Sequence, residues 1–413
     1  MARNSLEGVR VVDLTQIVSG AVTTMLMADF GADIIKLEPL EGEPYRNSGY
    51  PLRTAAGETN LNFLRFSRGK RSVAVDLKSP GGKDVLSRLV AQADVLVENF
   101  RPGVMQRLGF DHDALRTINP RLIYTSVSGF GHDDLYPSPF GDRPAYAIIT
   151  EAMAGLMYLA GDGKGPPVWM GFAMADIFAG TLAFAGILLA LRDREATGRG
   201  RRVDISMYDA ALLMNDLPMT AYSVTGEVHG GGQYLLQSPW GPFETTDGYV
   251  VIAVLTQPQW EALCDVIGRP DLRDDERLRS GRDRSANHDE LVAPAVRAWT
   301  AMRSKEECTR LLLELGVPAG PVNTSEEVYA SPQASARKML VDVDDPVMGQ
   351  VSLVGNPIKM DDAPDPSGSR TPRLGEHTRE VLESLLGMAA HEIERLERQG
   401  AVRAADTVRP AVA

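Results

Sequence analysis

The sequence is poor in cysteine and in long apolar runs. Its 413 residues include two cysteines, Cys264 and Cys308, without C-x-x-C spacing, so we predict neither a disulfide framework nor a zinc cluster and expect a reducing, cytoplasmic setting. The amino terminus lacks the apolar core of a signal peptide. The most apolar stretch, 177–191, contains two glycines and is followed by charged residues, which indicates a core helix of a soluble protein and no membrane span.

Positive charge is also scarce. The chain carries 43 Lys and Arg against 55 Asp and Glu, a formal net charge of −12 that argues against binding to nucleic acid or to anionic membranes. A polyanionic ligand therefore needs a local basic patch, and one segment with a single acid, Asp76, provides one. Its basic residues are Arg65, Arg68, Lys70, Arg71, Lys78 and Lys83. A solvated strand edge is the ordinary interpretation of such a run, and a phosphate site is the functional one.

Two familiar motifs are missing. There is no G-x-G-x-x-G turn, so dinucleotide binding has little support. The segment 229–232, His-Gly-Gly-Gly, matches the oxyanion loop of esterases, but the chain has no G-x-S-x-G nucleophile elbow, so a serine hydrolase is disfavoured. A flexible connector between domains is the other interpretation of this glycine run.

An alternation of strands and helices fills the first half of the chain. The strand around Val9 to Asp13, the helix from Gly20 to Phe30 and the strand from Asp33 to Leu37 form a βαβ unit, and the pattern continues. We therefore predict an α/β fold with a mostly parallel sheet. The length favours two domains, and a hairpin pattern with amphipathic helices predicts a smaller α+β domain at 225–325.

One carboxylate, Asp176, directly precedes a segment of about 177–192 that is apolar on every side. We expect this segment to be a buried helix with Asp176 at its amino end. There the free N–H groups and the helix dipole favour an anion and thereby lower its basicity. An N-cap is the ordinary interpretation of an aspartate in this place. Our hypothesis is that Asp176 is a covalent nucleophile.

Further motifs follow one another in a fixed order along the chain. They are Val12-Asp-Leu, Gly31-Ala-Asp-Ile-Ile-Lys-Leu-Glu38, Lys70-Arg-Ser-Val-Ala-Val-Asp-Leu-Lys78, Glu98-Asn-Phe-Arg-Pro-Gly103, Ser126-Val-Ser-Gly-Phe-Gly131, Glu195-Ala-Thr-Gly-Arg-Gly200, Gly316-Val-Pro-Ala-Gly-Pro-Val322 and Leu374-Gly-Glu-His377. With them the chain resembles the class III coenzyme A transferases, which include formyl-CoA:oxalate, carnitine and bile-acid CoA transferases together with α-methylacyl-CoA racemases. The resemblance covers about residues 5–402.

This resemblance implies a fold and a set of partners. It implies a large Rossmann-like, CoA-binding domain built from 1–220 and 326–413, the small domain between them, and two interlocked subunits of a homodimer. A CoA thioester and a small carboxylic acid are the implied substrates, with no permanently bound cofactor and no metal. The CoA-binding residues it implies are Lys70, Arg71, Asn99, Phe100 and Arg107.

The resemblance also implies the chemistry. The nucleophile of the family corresponds to Asp176, which attacks the thioester to give a mixed anhydride and then an aspartyl-CoA thioester. The glycine run, Gly230, Gly231 and Gly232, is a candidate source of N–H donors for the oxyanion and a candidate loop over the site. Trp169, Met170, Phe172, Tyr146 and Trp240 are candidates either for an apolar acyl pocket or for the core.

The racemase branch of the family is the closest alternative. It needs a histidine as a second base, and that position is Tyr146, the residue that the transferases carry. The acidic residue that usually follows this tyrosine is replaced by Ala147, which puts a second carboxylate in doubt, although Glu151 is near in sequence. Val18 replaces a glutamine of the formyl-CoA enzyme, so oxalate chemistry is less expected. A catalytically silent scaffold is the third alternative, and it is disfavoured because Asp176 and the glycine run are both kept.

Overall fold

The computed structural model describes residues 4–161, 165–231, 237–361 and 365–405. The described strands are Arg10–Asp13 (β1), Asp33–Glu38 (β2), Pro51–Thr54 (β3), Gly57–Asn60 (β4), Lys70–Val75 (β5), Val95–Glu98 (β6), Ile123–Ser128 (β7), Arg202–Ser206 (β8), Trp240–Thr245 (β9), Gly248–Ala253 (β10), Ala319–Pro321 (β11), Leu340–Asp345 (β12), Gly349–Val354 (β13) and Val402–Arg403 (β14). The described α-helices are Ser19–Asp29 (α1), Pro44–Asn47 (α2), Leu61–Leu64 (α3), Pro80–Gln92 (α4), Val104–Leu108 (α5), His112–Ile118 (α6), Ala147–Met153 (α7), Leu156–Leu159 (α8), Met174–Thr197 (α9), Met207–Met214 (α10), Asp216–Thr225 (α11), Gln257–Val266 (α12), Pro270–Arg273 (α13), Gly281–Ala286 (α14), Ala293–Thr300 (α15), Lys305–Glu314 (α16), Ser325–Tyr329 (α17), Pro332–Ala336 (α18), Thr378–Glu380 (α19) and Ala390–Arg398 (α20). Short 3-10 or π segments occur at Glu276–Leu278, His288–Val292 and Val381–Leu385.

The chain divides into two compact units. The first consists of Met1–Leu156, Gly171–Asp216 and Ser335–Ala413, and the second of Met157–Met170 and Leu217–Ala334. The second unit is thus larger than the predicted 225–325, because it extends past both bounds and includes a segment that precedes α9. Segments from both halves of the chain build the first unit.

A seven-stranded sheet organises the first unit. Its order is β14-β5-β2-β1-β6-β7-β8, and every neighbouring pair is parallel except β14 with β5. The predicted α/β fold with a mostly parallel sheet is therefore confirmed. Helices cover both faces: Val11 and Ile34 pack with α1 and α9, and Val12 and Ile35 pack with α4. Since parallel strands place their carboxyl ends at one edge, the loops after β1, β2, β5, β6 and β7 gather there.

Helix α9 is the longest described helix, and it differs from its prediction in two ways. It begins at Met174 and ends before Gly198, which adopts the left-handed conformation, so it is longer than the predicted 177–192. The prediction that it is buried on every side is wrong, because Leu188 and Leu189 are 38% and 72% exposed. By length and composition alone it is the one described helix that could cross a membrane, and here it packs against α1, α10 and β7.

Helices α1 and α9 approach each other closely at Gly180. A Cβ atom at this position would lie 2.2 Å from the backbone oxygen of Ser19. The hydroxyl of Thr23 donates a hydrogen bond of 2.8 Å to the Gly180 oxygen. Because glycine leaves room for this contact, the first residue of α1 lies beside the second turn of α9, next to the turn that carries Asp176.

The second unit contains an antiparallel sheet of order β11-β10-β9. The hairpin predicted within 225–325 is confirmed, since Thr245 of β9 pairs with Gly248 of β10 across the turn. Helices α12, α15 and α16 contribute to its core around Trp260. Both cysteines are buried in this core and unpaired.

The α1–α9 contact leads to a prediction about stability. We expect Gly180→Ala to destabilise the protein by roughly 1–3 kcal/mol, the usual cost of overpacking, because the new methyl group meets a backbone oxygen that cannot turn away. Gly186→Ala in the same helix is the matched control, since its methyl group meets a side-chain methyl of Val203 at 2.7 Å, and that side chain can turn. Thermal unfolding of both variants is the measurement. Equal stability of the two would contradict the close contact.

Candidate active site

A cavity of about 590 Å³ lies at the carboxyl edge of the first unit's sheet. Its walls come from the loop after β1, the loop after β6, the end of β7 and the start of α9. Asp176 lines it together with Ser19, Asn99, Phe100 and Tyr146. The topology therefore brings together four residues that the sequence had singled out, Asn99, Phe100, Tyr146 and Asp176, from three separate segments of the chain.

Asp176 lies within helix α9 and not before it. The N-cap is Ala173 and makes no side-chain cap, so the N-cap interpretation of Asp176 is wrong, and the carboxylate belongs to the first turn. The side chain is nearly buried, with 9% of the residue exposed. Burial and then the charge of Glu151 raise the pKa of Asp176 to about 7, while a hydrogen bond from Ser19 opposes them. The expected lowering of its basicity by the helix end is therefore outweighed.

A second carboxylate, Glu151, lies behind Asp176. It belongs to α7, is 2% exposed, and its Oε1 accepts a 3.0 Å hydrogen bond from the backbone N–H of Ala175. The sequence had put a second carboxylate in doubt because of Ala147. Glu151 lies one helical turn beyond Ala147 in the same helix, outside the cavity wall, and its charge raises the pKa of Asp176.

The loop between β1 and α1 is held by hydrogen bonds from several elements. The side chain of Asn99 accepts from the Gln16 N–H at 2.8 Å and donates to the Gln16 oxygen at 2.7 Å. It also donates to the hydroxyl of Ser19 at 3.1 Å. Ile17 has a φ of +68°, an unfavourable conformation for a β-branched residue, and its N–H is bound by Glu43. These contacts fix Ser19 where its hydroxyl reaches Asp176.

A second cavity of about 470 Å³ adjoins the first and shares Gln16, Phe100 and Val104 with it. Its walls come from the loops after β2 and β5 and from α5. They combine aliphatic side chains with one basic residue, Lys78, and three acidic residues, Glu38, Glu41 and Asp76. The sequence had placed Lys78 in the basic patch without selecting it. Its position just past the carboxyl end of β5 is the signal that identifies it, because ligands of parallel sheets bind at that edge.

Lys70 does not face either cavity. Its side chain is 0% exposed, and its Nζ donates to Asp13 at 3.1 Å and to Thr24 at 2.7 Å. Burial lowers the pKa of Lys70 to about 8 even though Asp13 opposes the shift. The assignment of Lys70 to a phosphate site is thus corrected: this ammonium group neutralises a buried aspartate.

Arg71 lies at the amino edge of the sheet, opposite the cavities. It pairs with Asp33, the first residue of β2, at 2.6 Å and with Glu380 at 3.2 Å. Its assignment to the CoA-binding surface is corrected for this reason. Arg107 is exposed on α5, whose Val104 and Leu108 line the second cavity.

The glycine run belongs to the second unit. The N–H of Gly231 donates to the Tyr158 oxygen at 3.1 Å, so it is already occupied and does not point freely at a ligand. Gly230 lies against the Tyr158 ring, and Gly232 lies outside the described residues.

The aromatic and Met candidates for an acyl pocket or the core are all at least 38% exposed, which contradicts the core interpretation. Of these candidates, Tyr146 lines the first cavity.

Comparison with known proteins identifies the family. The model of CoA-transferase family III matches residues 6–378. The chain belongs to CoA-transferase family III. Relatives of this transferase include a succinyl-CoA:mesaconate CoA-transferase of Haloarcula hispanica, 36% identical over 94% of this chain and 99% of that protein. A formyl-CoA:oxalate CoA-transferase of Rhodopseudomonas palustris is 34% identical over 96% of this chain and 97% of its own.

Solved structures agree with this membership. The crystal structure of a CaiB/BaiF family protein from Brucella suis has a TM-score of 0.82 at 32% identity, over 93% of this transferase and 100% of that chain. The predicted enzyme class is confirmed. Among the described residues, no group of three or more His, Cys, Asp and Glu could hold a metal ion.

The pKa of Asp176 leads to a prediction about pH and stability. A folded pKa near 7, against 3.8 as the ordinary value, means that ionisation costs stability at high pH and costs nothing below about pH 3.8. We expect Asp176→Asn to be more stable than the parent transferase at pH 8 by a few kcal/mol, since each pKa unit corresponds to about 1.4 kcal/mol. The difference should shrink as the pH falls from 8 to 5, as measured by chemical unfolding.

Asp13→Asn is the matched control with the opposite sign. Burial raises the pKa of Asp13, but Lys70, Lys36 and two hydroxyl groups outweigh it, and the pKa falls to about 2. Its ionised form stabilises the fold above pH 3.8, so the Asn variant should be less stable throughout pH 5 to 8. A stability difference for Asp176→Asn that does not vary with pH would contradict the raised pKa.

Proposed function

We propose that this transferase moves CoA from an acyl-CoA donor to a carboxylic acid acceptor through covalent intermediates on Asp176. The observation that carries the proposal is the position of this one carboxylate, at the floor of a cavity and with a pKa near neutrality. An aspartate of ordinary pKa is a weak base and a weak nucleophile, whereas a more basic carboxylate attacks a thioester more readily. Membership of CoA-transferase family III supports the assignment.

The proposed reaction proceeds through two kinds of acyl-enzyme. The Asp176 carboxylate attacks the thioester carbonyl carbon, the C–S bond breaks, and CoA leaves as a thiolate from a mixed anhydride. The thiolate then attacks the aspartyl carbonyl and releases the donor's carboxylate, which leaves an aspartyl-CoA thioester. An acceptor carboxylate repeats these steps in reverse order and departs as its CoA thioester. The acyl activation is kept throughout, so the exchange needs no other source of energy.

The two adjoining cavities support a binding mode for CoA in the first unit. We propose this unit as the CoA-binding domain of the transferase. We place the nucleotide end in the second cavity, with its phosphates at Lys78, the one basic residue in a wall that also contains Glu38, Glu41 and Asp76. The pantetheine arm passes Phe100 and Asn99, and the thioester reaches Asp176 in the first cavity. Arg107, exposed on the adjacent helix, is an outer contact for the same phosphates.

The acceptor is proposed to be a small dicarboxylic acid. Arg101 and Arg143 line the first cavity with Asp176, and the Arg143 guanidinium is held 4.0 Å over the Phe140 ring. The names of the two relatives include succinyl-CoA, mesaconate and oxalate as substrates. Val18 disfavours oxalate among these. Racemisation is not favoured, because Tyr146 lies in the cavity where a second base would be needed.

We propose a cytoplasmic homodimer with interlocked subunits, for which the exposed Leu188 and Leu189 of α9 offer an apolar contact surface. Gly230, Gly231 and Gly232 are proposed as a loop that closes over the thioester, and the Gly231 N–H would need to leave Tyr158 to stabilise an oxyanion.

The covalent role of Asp176 is tested by trapping. With acyl-CoA and hydroxylamine, we expect conversion of this one side chain to a hydroxamate, detected as a mass change on its peptide. Asp176→Asn should fold and bind CoA but lose exchange to the level without enzyme. Asp209→Asn is the matched control, because Asp209 is also in the first turn of a helix but is exposed and outside the cavities. Adduct formation at another residue would refute the mechanism.

The role of Lys78 is tested by affinity. We expect Lys78→Ala to raise the KM for acyl-CoA by roughly fivefold at low salt, since an exposed ion pair is worth up to about 1 kcal/mol. The loss should diminish as salt screens the parent's contact. Lys83→Ala is the matched control from the same basic segment, because Lys83 lines neither cavity. Equal KM values for the parent and the Lys78 variant would remove the nucleotide from the second cavity.

A further inference from the structure

Glu151 is a buried carboxylate that the proposed reaction does not use. It is 2% exposed and does not line the cavity, so it cannot touch the substrate. Its Oε1 accepts the Ala175 N–H at 3.0 Å, at the end of α9 where the N-cap, Ala173, gives no side-chain cap. A carboxylate from α7 thus satisfies an N–H that the helix itself leaves unpaired.

We propose that Glu151 is a positioning residue for Asp176: it fixes the first turn of α9 through the Ala175 N–H and places a second negative charge beside the nucleophile. This inference rests on the proposed function of Asp176. The two effects come from one group, because the oxygen that accepts the Ala175 N–H belongs to an acidic side chain. A neutral acceptor at the same place would accept the Ala175 hydrogen bond without adding a charge beside Asp176.

The groups around Asp176 come from several elements. They are Glu151 on α7, Ser19 on α1, Tyr45 on α2, Tyr146 before α7, and the cavity-lining Arg101 and Arg143. After burial, the charge of Glu151 is the largest influence on the pKa of Asp176, and it raises that pKa. The Ser19 hydroxyl acts in the opposite direction. Like charge from α7 therefore adds to burial in raising the pKa of the nucleophile.

The position of Glu151 offsets the low reactivity that a carboxylate has at a helix amino end. A carboxylate in the first turn of a helix is stabilised as an anion and is correspondingly less reactive. Glu151 removes part of that stabilisation, because its charge competes for the same helix end and repels the Asp176 anion. The attack on the thioester relieves this repulsion, since the acylated aspartate is neutral. Repulsion in the free enzyme is thus released at the step where the covalent bond forms.

Three variants separate the charge from the hydrogen bond. Glu151→Gln keeps an acceptor for Ala175 and removes the charge. We expect the midpoint of its kcat/KM pH profile to fall by roughly one unit below the parent's value near 7. Glu151→Ala should show the same shift and lose kcat at every pH, because the bond is also lost. Glu151→Asp keeps the charge but shortens the reach, so its midpoint should stay near the parent's while kcat falls.

A second measurement does not depend on turnover. We expect a double-mutant cycle of Glu151→Gln and Asp176→Asn, followed by thermal unfolding, to be non-additive at pH 8 and nearly additive at pH 5, where Asp176 is protonated. Glu98→Gln replaces Glu151→Gln in the control cycle. Glu98 is also buried and also accepts a backbone N–H, at 2.7 Å from Phe100, but it is not among the groups that shift the pKa of Asp176.

The outcomes distinguish this inference from the proposed function. An unmoved midpoint in Glu151→Gln, or a cycle that is additive at pH 8, would show that Glu151 has a structural role only and would overturn the inference. If no adduct forms on Asp176 in the parent while the cycle is non-additive, the proposed reaction fails but the coupling of the two carboxylates stands. A poorly folded Gln variant would leave the Asp variant's pH profile to decide, since loss of the parent midpoint there would also overturn the inference.

Discussion

The close contact of α1 with α9 is the constraint on which the site's geometry depends. At Gly180 the two helices lie too near for any side chain, and the Thr23 hydroxyl binds across the contact. This fixes Ser19 against Asp176, while Asn99 binds Ser19 from the other side. A continuous set of hydrogen bonds thus connects the loop after β6, which borders both cavities, with the carboxylate of Asp176. The distance between α1 and α9 therefore sets the position of the Ser19 hydroxyl relative to Asp176.

Two buried aspartates of the first unit have opposite pKa shifts because their environments differ. Asp13 receives hydrogen bonds from Thr15, Thr24 and Lys70, and its pKa falls to about 2. Asp176 receives one from Ser19 and faces a second carboxylate, and its pKa rises to about 7. The first is a permanent anion that holds a loop. The second is a group whose proton and charge change within the working range of an enzyme.

Much of the fold could be predicted from sequence, whereas the direction of individual side chains could not. β-Branched runs separated by helical patterns identified the parallel sheet, because burial on both faces leaves a clear apolar signal. The basic patch was visible, but Lys70 and Arg71 were assigned wrongly. Charge along a strand does not reveal whether a side chain meets a buried acid or faces the amino edge.

Some of the site residues could be found from the sequence, and others could not. Asp176, Asn99 and Phe100 were placed by the family motifs, and they line one cavity. Glu151 was undervalued because its partner, Ala175, is distant in sequence and is reached only when α7 packs against α9.

The place of strand β14 in the seven-stranded sheet has a consequence for folding during synthesis. Val402 pairs with Val75, so during synthesis the edge of β5 stays open to other pairing until a strand from far along the chain has been made.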